Sequence, residues 1–129
     1  MLPKSFPDRN VCVLGLGYVG LTLGVAMADA GFQVHGVEVR DEVLDKLARG
    51  VPHFHEPGLA EKLRHVMERG RFTFGRTPDG CRDCTVFIIT VGTPLDRDGR
   101  VRTDMIEAAT RQVADRIHDG DLVILRSTV

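Results

Sequence analysis

With 129 residues, 43% hydrophobic and 27% charged, the chain has the composition of one soluble globular domain with enough apolar material to bury a core. A formal net charge of -1, with acids and bases interspersed, excludes the broad basic field expected of a nucleic-acid or anionic-membrane binder. Three cysteines are odd in number and too few for a disulfide scaffold, which points to a reducing compartment and to the cytoplasm.

The first element is an uncharged run, VCVLGLGYVGLTLGVAMA, from Val11 to Ala28, soon after Lys4 and Arg9. A secretion signal would need an apolar core followed by a small-x-small cleavage site, which Ala26-Met27-Ala28 or Ala28-Asp29-Ala30 only loosely imitates. A membrane helix needs about 20 apolar residues. This run is shorter and is broken by Gly15, Gly17, Gly20 and Gly24, each unfavourable in a helix interior. The remaining reading divides it into a strand (Val11 to Leu14), a G-x-G-x-x-G turn (Gly15 to Gly20) and a helix (Leu21 to Ala30) capped by Gly31. In such a turn the first glycine permits the bend and the second lets backbone approach a pyrophosphate. The third lets helix pack on strand, and the helix start offers N–H groups to the phosphates.

The motif alone is weak, and its context carries the reading. Phe32 to Val39 alternates as a second strand and reaches Glu38, an acid placed to accept both ribose hydroxyls of an adenosine and to repel a 2′-phosphate. NAD is therefore favoured over NADP, although Arg40 close by weakens the exclusion. Helices follow at Asp41 to Arg49 and Leu59 to Arg69, then strands at Arg71 to Phe74 and Thr85 to Val91. Ile106, Ala109, Val113 and Ile117 form the stripe of a helix over Asp104 to His118, and Leu122 to Leu125 is a last strand. Alternating strands and helices predict an α/β, Rossmann-like, doubly wound parallel sheet in the order 3-2-1-4-5. Its ligand edge collects the glycine turn, the loop Val91-Gly92-Thr93-Pro94 and Ser127-Thr128-Val129.

Taken together, GLGYVGLTLG, Glu38, EPGL (Glu56 to Leu59), VGTP (Val91 to Pro94) and GDLVILRSTV (Gly120 to Val129) resemble, in order, the nucleotide-sugar 6-dehydrogenases of the UDP-glucose/GDP-mannose dehydrogenase family. The segments RGVPHFHEPGL and DLVIL most resemble its UDP-N-acetylhexosamine branch, such as the UDP-N-acetylmannosamine enzymes. The resemblance implies oxidation of a UDP-sugar's C6 hydroxymethyl group to a carboxylate with two NAD, through a thiohemiacetal and a thioester on a cysteine. Family members carry that cysteine, with its lysine and asparagine, in a sugar-binding domain beyond the "STV" segment. The chain is accordingly expected to be the amino-terminal NAD domain of a longer, homodimeric enzyme, binding dinucleotide without turnover. The apolar surface that normally meets the rest of the enzyme is expected to be exposed.

Carried over by position, the resemblance assigns Gly15, Gly17, Tyr18 and Val19 to the pyrophosphate turn and Glu38 to the ribose, where aspartate is commoner. Thr93 falls at the cofactor loop. Thr128 matches a threonine that contacts the cofactor side and helps position a water or substrate oxygen beside the catalytic cysteine. Many members have a basic residue five positions after the ribose acid; here that position is Val43, and Arg40 is the available substitute.

Other features have ordinary readings. Cys81-x-x-Cys84 has metal or redox spacing but no second pair, Cys12 belongs to the core, and His53-x-His55-Glu56 is a loop before EPGL rather than a metal site. Asp96-x-Asp98-Gly99 is a solvated turn, not a calcium loop, and Arg97, Arg100 and Arg102 face water. Two alternatives remain: a regulatory nucleotide-sensing domain of the kind that gates potassium transport, and a β-hydroxyacid dehydrogenase. The first leaves EPGL, VGTP and STV unexplained; the second is opposed by Glu38 and the same motifs.

Overall fold

The computed structural model describes residue 3 and residues 5–127. One parallel sheet contains β1 (Asn10–Leu14), β2 (Gln33–Val37), β3 (Phe72–Gly75), β4 (Val86–Ile89) and β5 (Leu122–Leu125), in the order β3-β2-β1-β4-β5. The connections are α1 (Tyr18–Ala30), α2 (Asp41–Ala48), α3 (Leu59–Glu68), a 3-10 turn at Pro78–Gly80 and α4 (Asp104–Ala114). The predicted doubly wound topology and strand order are both present.

The central strand explains the layers. Successive side chains of a strand point to opposite faces, so an unbroken apolar run requires cover on both. In β1, Val11 and Val13 pack with Leu21 and Val25 of α1, Val43 and Leu47 of α2, and Leu63 and Val66 of α3. Cys12 and Leu14 pack on the other face with Phe87, Ile89 and, from α4, Ala109 and Val113. Burial pushes the Cys12 thiol up to about 12, so it remains an inert apolar filler, as its position in a strand predicts. Leu14 pairs in register with Val37 on one side and Ile89 on the other, which brings the carboxyl ends of β1, β2 and β4 level.

Element ends differ from the sequence reading for local reasons. α1 starts at Tyr18 rather than Leu21, because Gly20 sits inside the first helical turn, against the Gly15 carbonyl. β2 stops at Val37 because the Glu38 carboxylate accepts the N–H groups of Val39 and Arg40, curling the chain into α2. α4 stops at Ala114 rather than His118; Arg116 donates to the Gln112 carbonyl and pairs with Asp79, and Ile117 is exposed. Contrary to the ordinary reading of the C-x-x-C spacing and to the reducing compartment expected from the cysteine count, Cys81 and Cys84 are joined in a disulfide directly after the 3-10 turn, which places their Cα atoms 5.6 Å apart. Asp96 accepts the N–H groups of Asp98 and Arg100, making the 96–100 segment a closed turn. Among the described residues, no helix is long and apolar enough to cross a membrane.

Candidate functional site: a dinucleotide cradle

The glycine turn is dictated by close approaches. Gly15 has φ +95°, and a Cβ there would lie 2.9 Å from the backbone of Val91. At Gly20 a Cβ would lie 1.8 Å from the Gly15 carbonyl oxygen, so any side chain would lift α1 off β1. At Gly17, by contrast, nothing stands within 4 Å of that position, leaving the backbone open to a ligand. The first turn of α1 carries no acid, and Gly17 offers no capping side chain. Its first N–H groups thus have no capping side chain and no acid of the same turn beside them, and a helix start left this way suits an anion such as a pyrophosphate.

Two residues not singled out from the sequence lock this turn. The Thr90 hydroxyl donates to Gly15 O at 2.6 Å, with Leu14 O 3.1 Å away, clasping the turn from the end of β4. The Leu16 side chain is fully buried against Gly36, where a Cβ would come within 2.7 Å of it. A glycine in the middle of β2 was the visible trace of that contact.

Glu38 lies beside the turn and is 5% exposed. Its Oε1 accepts Leu16 N (3.1 Å) and Arg40 Nη2 (3.0 Å). Its Oε2 accepts Val39 N (3.0 Å), Arg40 N (3.1 Å) and Arg40 Nε (3.1 Å). Burial pushes its pKa up, but the hydrogen bonds from Arg40 and Leu16 outweigh it and hold the carboxyl below its ordinary value. The acid is thus ionised and fixed by backbone, as a ribose acceptor must be. Val43, where many family members have a cation, is buried in the core, and the cation at the carboxylate is Arg40.

A loop folds toward the helix start from the other side. Tyr18 donates its hydroxyl to Glu56 Oε2 at 2.9 Å and packs its ring 5.1 Å from Phe54, whose other neighbour is His53. The hydrogen bond to Glu56 raises the Tyr18 pKa. Val19 is exposed beside it. The EPGL segment therefore braces the turn through Glu56; among the described residues no group of three or more His, Cys, Asp or Glu side chains gathers as metal ligands would.

The third part of the edge is assembled more loosely. Ser127 donates to Val91 O at 2.7 Å, joining the end of β5 to the loop that touches Gly15, and Thr93 is half-buried in that loop. Thr128 lies outside the described residues. Gly15, Gly17, Tyr18, Val19, Glu38 and Arg40 are thus brought together around α1, with Thr93 on the neighbouring loop.

The fold and cradle define a Rossmann-type dinucleotide-binding domain. Residues 9–129 match the NAD binding domain of the UDP-glucose/GDP-mannose dehydrogenase family, and the chain belongs to that family. It is 37% identical to a UDP-N-acetyl-D-mannosamine dehydrogenase of Pyrococcus horikoshii, covering 93% of this chain and 28% of the relative. A solved structure of UDP-D-ManNAc dehydrogenase from that organism superposes with TM-score 0.87 at 37% identity, over 93% of this chain and 28% of the other. A UDP-glucose 6-dehydrogenase of Pseudomonas aeruginosa is 36% identical over 93% of this chain and 27% of its own. The chain spans little more than a quarter of the length of these relatives.

Proposed function

We propose that this chain holds NAD for a nucleotide-sugar 6-dehydrogenase, with the pyrophosphate on the backbone of Gly15, Gly17, Tyr18 and Val19 and the adenosine ribose on Glu38. Thr93 and Thr128 serve the nicotinamide side, and Thr128 positions a water or substrate oxygen. The observation that carries the reading is Glu38, buried, ionised and bonded to Leu16 N beside an open helix start. NAD, when bound, accepts hydride from the sugar's C6 carbon. The chain's own residues bind and orient it, while the nucleophilic cysteine, UDP-sugar recognition and homodimer contacts belong to the part of the enzyme that the relatives add. This domain alone binds without turnover, in the cytoplasm where NAD is available. Isothermal titration of NAD and NADP into wild type and Glu38→Ala tests the site. The expected result is a preference for NAD that the variant loses, with affinity at least about tenfold weaker, the scale of a lost hydrogen bond to a charged group. Equal affinity of the two proteins for NAD would refute the assignment.

A further inference from the structure

Glu38 receives more hydrogen-bond donors than a carboxylate has places for. A carboxylate offers about four lone-pair positions. Glu38 already takes three backbone N–H groups, from Leu16, Val39 and Arg40, and two more from the Arg40 guanidinium. The backbone donors orient the carboxylate and are fixed by the fold. The guanidinium is different: Nε reaches Oε2 at 3.1 Å and Nη2 reaches Oε1 at 3.0 Å, one donor to each oxygen. A ribose 2′,3′-diol presents the same pattern, two adjacent donors to the two oxygens of one acid. Fork and diol require the same carboxylate edge.

We infer that Arg40 is an internal competitor for the dinucleotide: its guanidinium stands in for the ribose diol on Glu38 in the free chain and must swing away before NAD binds. This rests on the reading of Glu38 as the ribose acceptor. The moving part is Arg40, because its side chain is 48% exposed while that of Glu38 is 5% exposed. Leaving the carboxylate opens no core, and the displaced cation remains near Glu42, whose charge also favours it. Apparent affinity equals intrinsic affinity scaled by the open fraction, so the closed pair weakens NAD binding. Once displaced, the guanidinium is a free planar fork beside the ribose acid, and such a fork pairs with a 2′-phosphate better than with a hydroxyl. Arg40 therefore weakens NAD and assists NADP, narrowing the discrimination from both directions.

The test is titration of NAD and NADP into wild type, Arg40→Ala and Arg40→Lys, with circular dichroism confirming that each is folded. Arg40→Ala is expected to bind NAD about three- to tenfold tighter and NADP more weakly. Arg40→Lys keeps the charge without the fork, so it should tighten NAD while retaining NADP. Unchanged or weaker NAD binding by Arg40→Ala overturns the proposal, and Arg40→Lys matching wild type overturns the fork-for-diol geometry. Binding seen in Arg40→Ala but too weak to measure in wild type supports it; silence in both overturns it. Glu38→Ala separates the underlying reading: NAD affinity unchanged there removes the ribose site itself, whereas loss there with a weakened Arg40→Ala leaves the site standing and removes only the competition.

Discussion

β1 and β5 are built from nearly the same material and meet opposite environments. Val11, Cys12, Val13 and Leu14 are 0 to 1% exposed, whereas Leu122, Val123, Ile124 and Leu125 are 38 to 53% exposed. An apolar tetrapeptide tells that a strand is suited to cover on both faces, not what supplies the cover. β1 has a strand on each side and helices above and below; β5 pairs only with β4 and forms the sheet's edge. The site divides along the same line: turn, Leu16, Glu38 and Arg40 lie on the covered side, and Thr93 and Ser127 on the open one.

The largest effect should come from breaking the cover of β1 where it is tightest. Gly20→Ala puts a methyl group into the Gly15 carbonyl, 1.8 Å from its oxygen, and the neighbour is backbone that cannot rotate away. The expected loss is about 4 kcal/mol or more, beyond ordinary overpacking, with NAD binding abolished. Urea denaturation followed by circular dichroism measures it; stability within about 1 kcal/mol of wild type would mean that α1 does not depend on this approach.

A matched pair of truncations measures the contrast directly. Leu63→Ala removes a fully buried side chain of the α3 face and should cost about 2 to 5 kcal/mol. Ile124→Ala, in a strand whose side chains are 38 to 53% exposed, should cost about 1 kcal/mol. Equal costs in the same urea experiment would show that β5 is covered in solution.

These contrasts also mark what was legible beforehand. Strand order followed from periodicity and right-handed crossovers, because each apolar run had only one way to be buried in a doubly wound sheet. The turn and Glu38 were legible because backbone geometry restricts those positions: Gly15 at positive φ, Gly20 in contact, and the acid at the end of β2. The Thr90 clasp and the Cys81–Cys84 disulfide were not, since they depend on which side chains the folded chain brings together, and the Leu16 contact left only Gly36 as its trace. Nor was the occupation of Glu38 by Arg40: sequence shows a nearby cation, but the fork is a matter of rotamer.

Acid should attack the covered side in two stages. His35 of β2 is 5% exposed, with its ring nitrogens at Thr73 Oγ1 (2.8 Å) and Thr77 O (3.1 Å). Burial holds its pKa below the ordinary 6.5. A depressed folded pKa means that the unfolded chain takes the proton first, so this stabilisation is present above 6.5 and is lost as pH falls through the folded value. Glu38, also depressed, contributes above 4.5 and is lost at still lower pH. A thermal scan should give a steady Tm from neutrality to the ordinary thiol value of 9.0, above which Cys12 ionises first in the unfolded chain and stability falls; on the acid side a decline should begin below 6.5, and His35→Gln should flatten it. An identical decline in the variant would assign it to other groups.

The smallest effect is expected on the open side. Thr93 is half-buried in the loop after β4, the loop whose Val91 carbonyl accepts the Ser127 hydroxyl. Where the surrounding surface is incomplete, a hydroxyl exchanges a water contact for a ligand contact, and the net gain is near the bottom of the range for neutral hydrogen bonds. Thr93→Ala should therefore change the Kd for NAD by less than about threefold, against at least about tenfold for Glu38→Ala. A loss at Thr93 as large as at Glu38 would place the nicotinamide side of the cradle, within this chain, on the same footing as the adenosine side. The covered and open halves of the sheet would then differ in packing but not in binding.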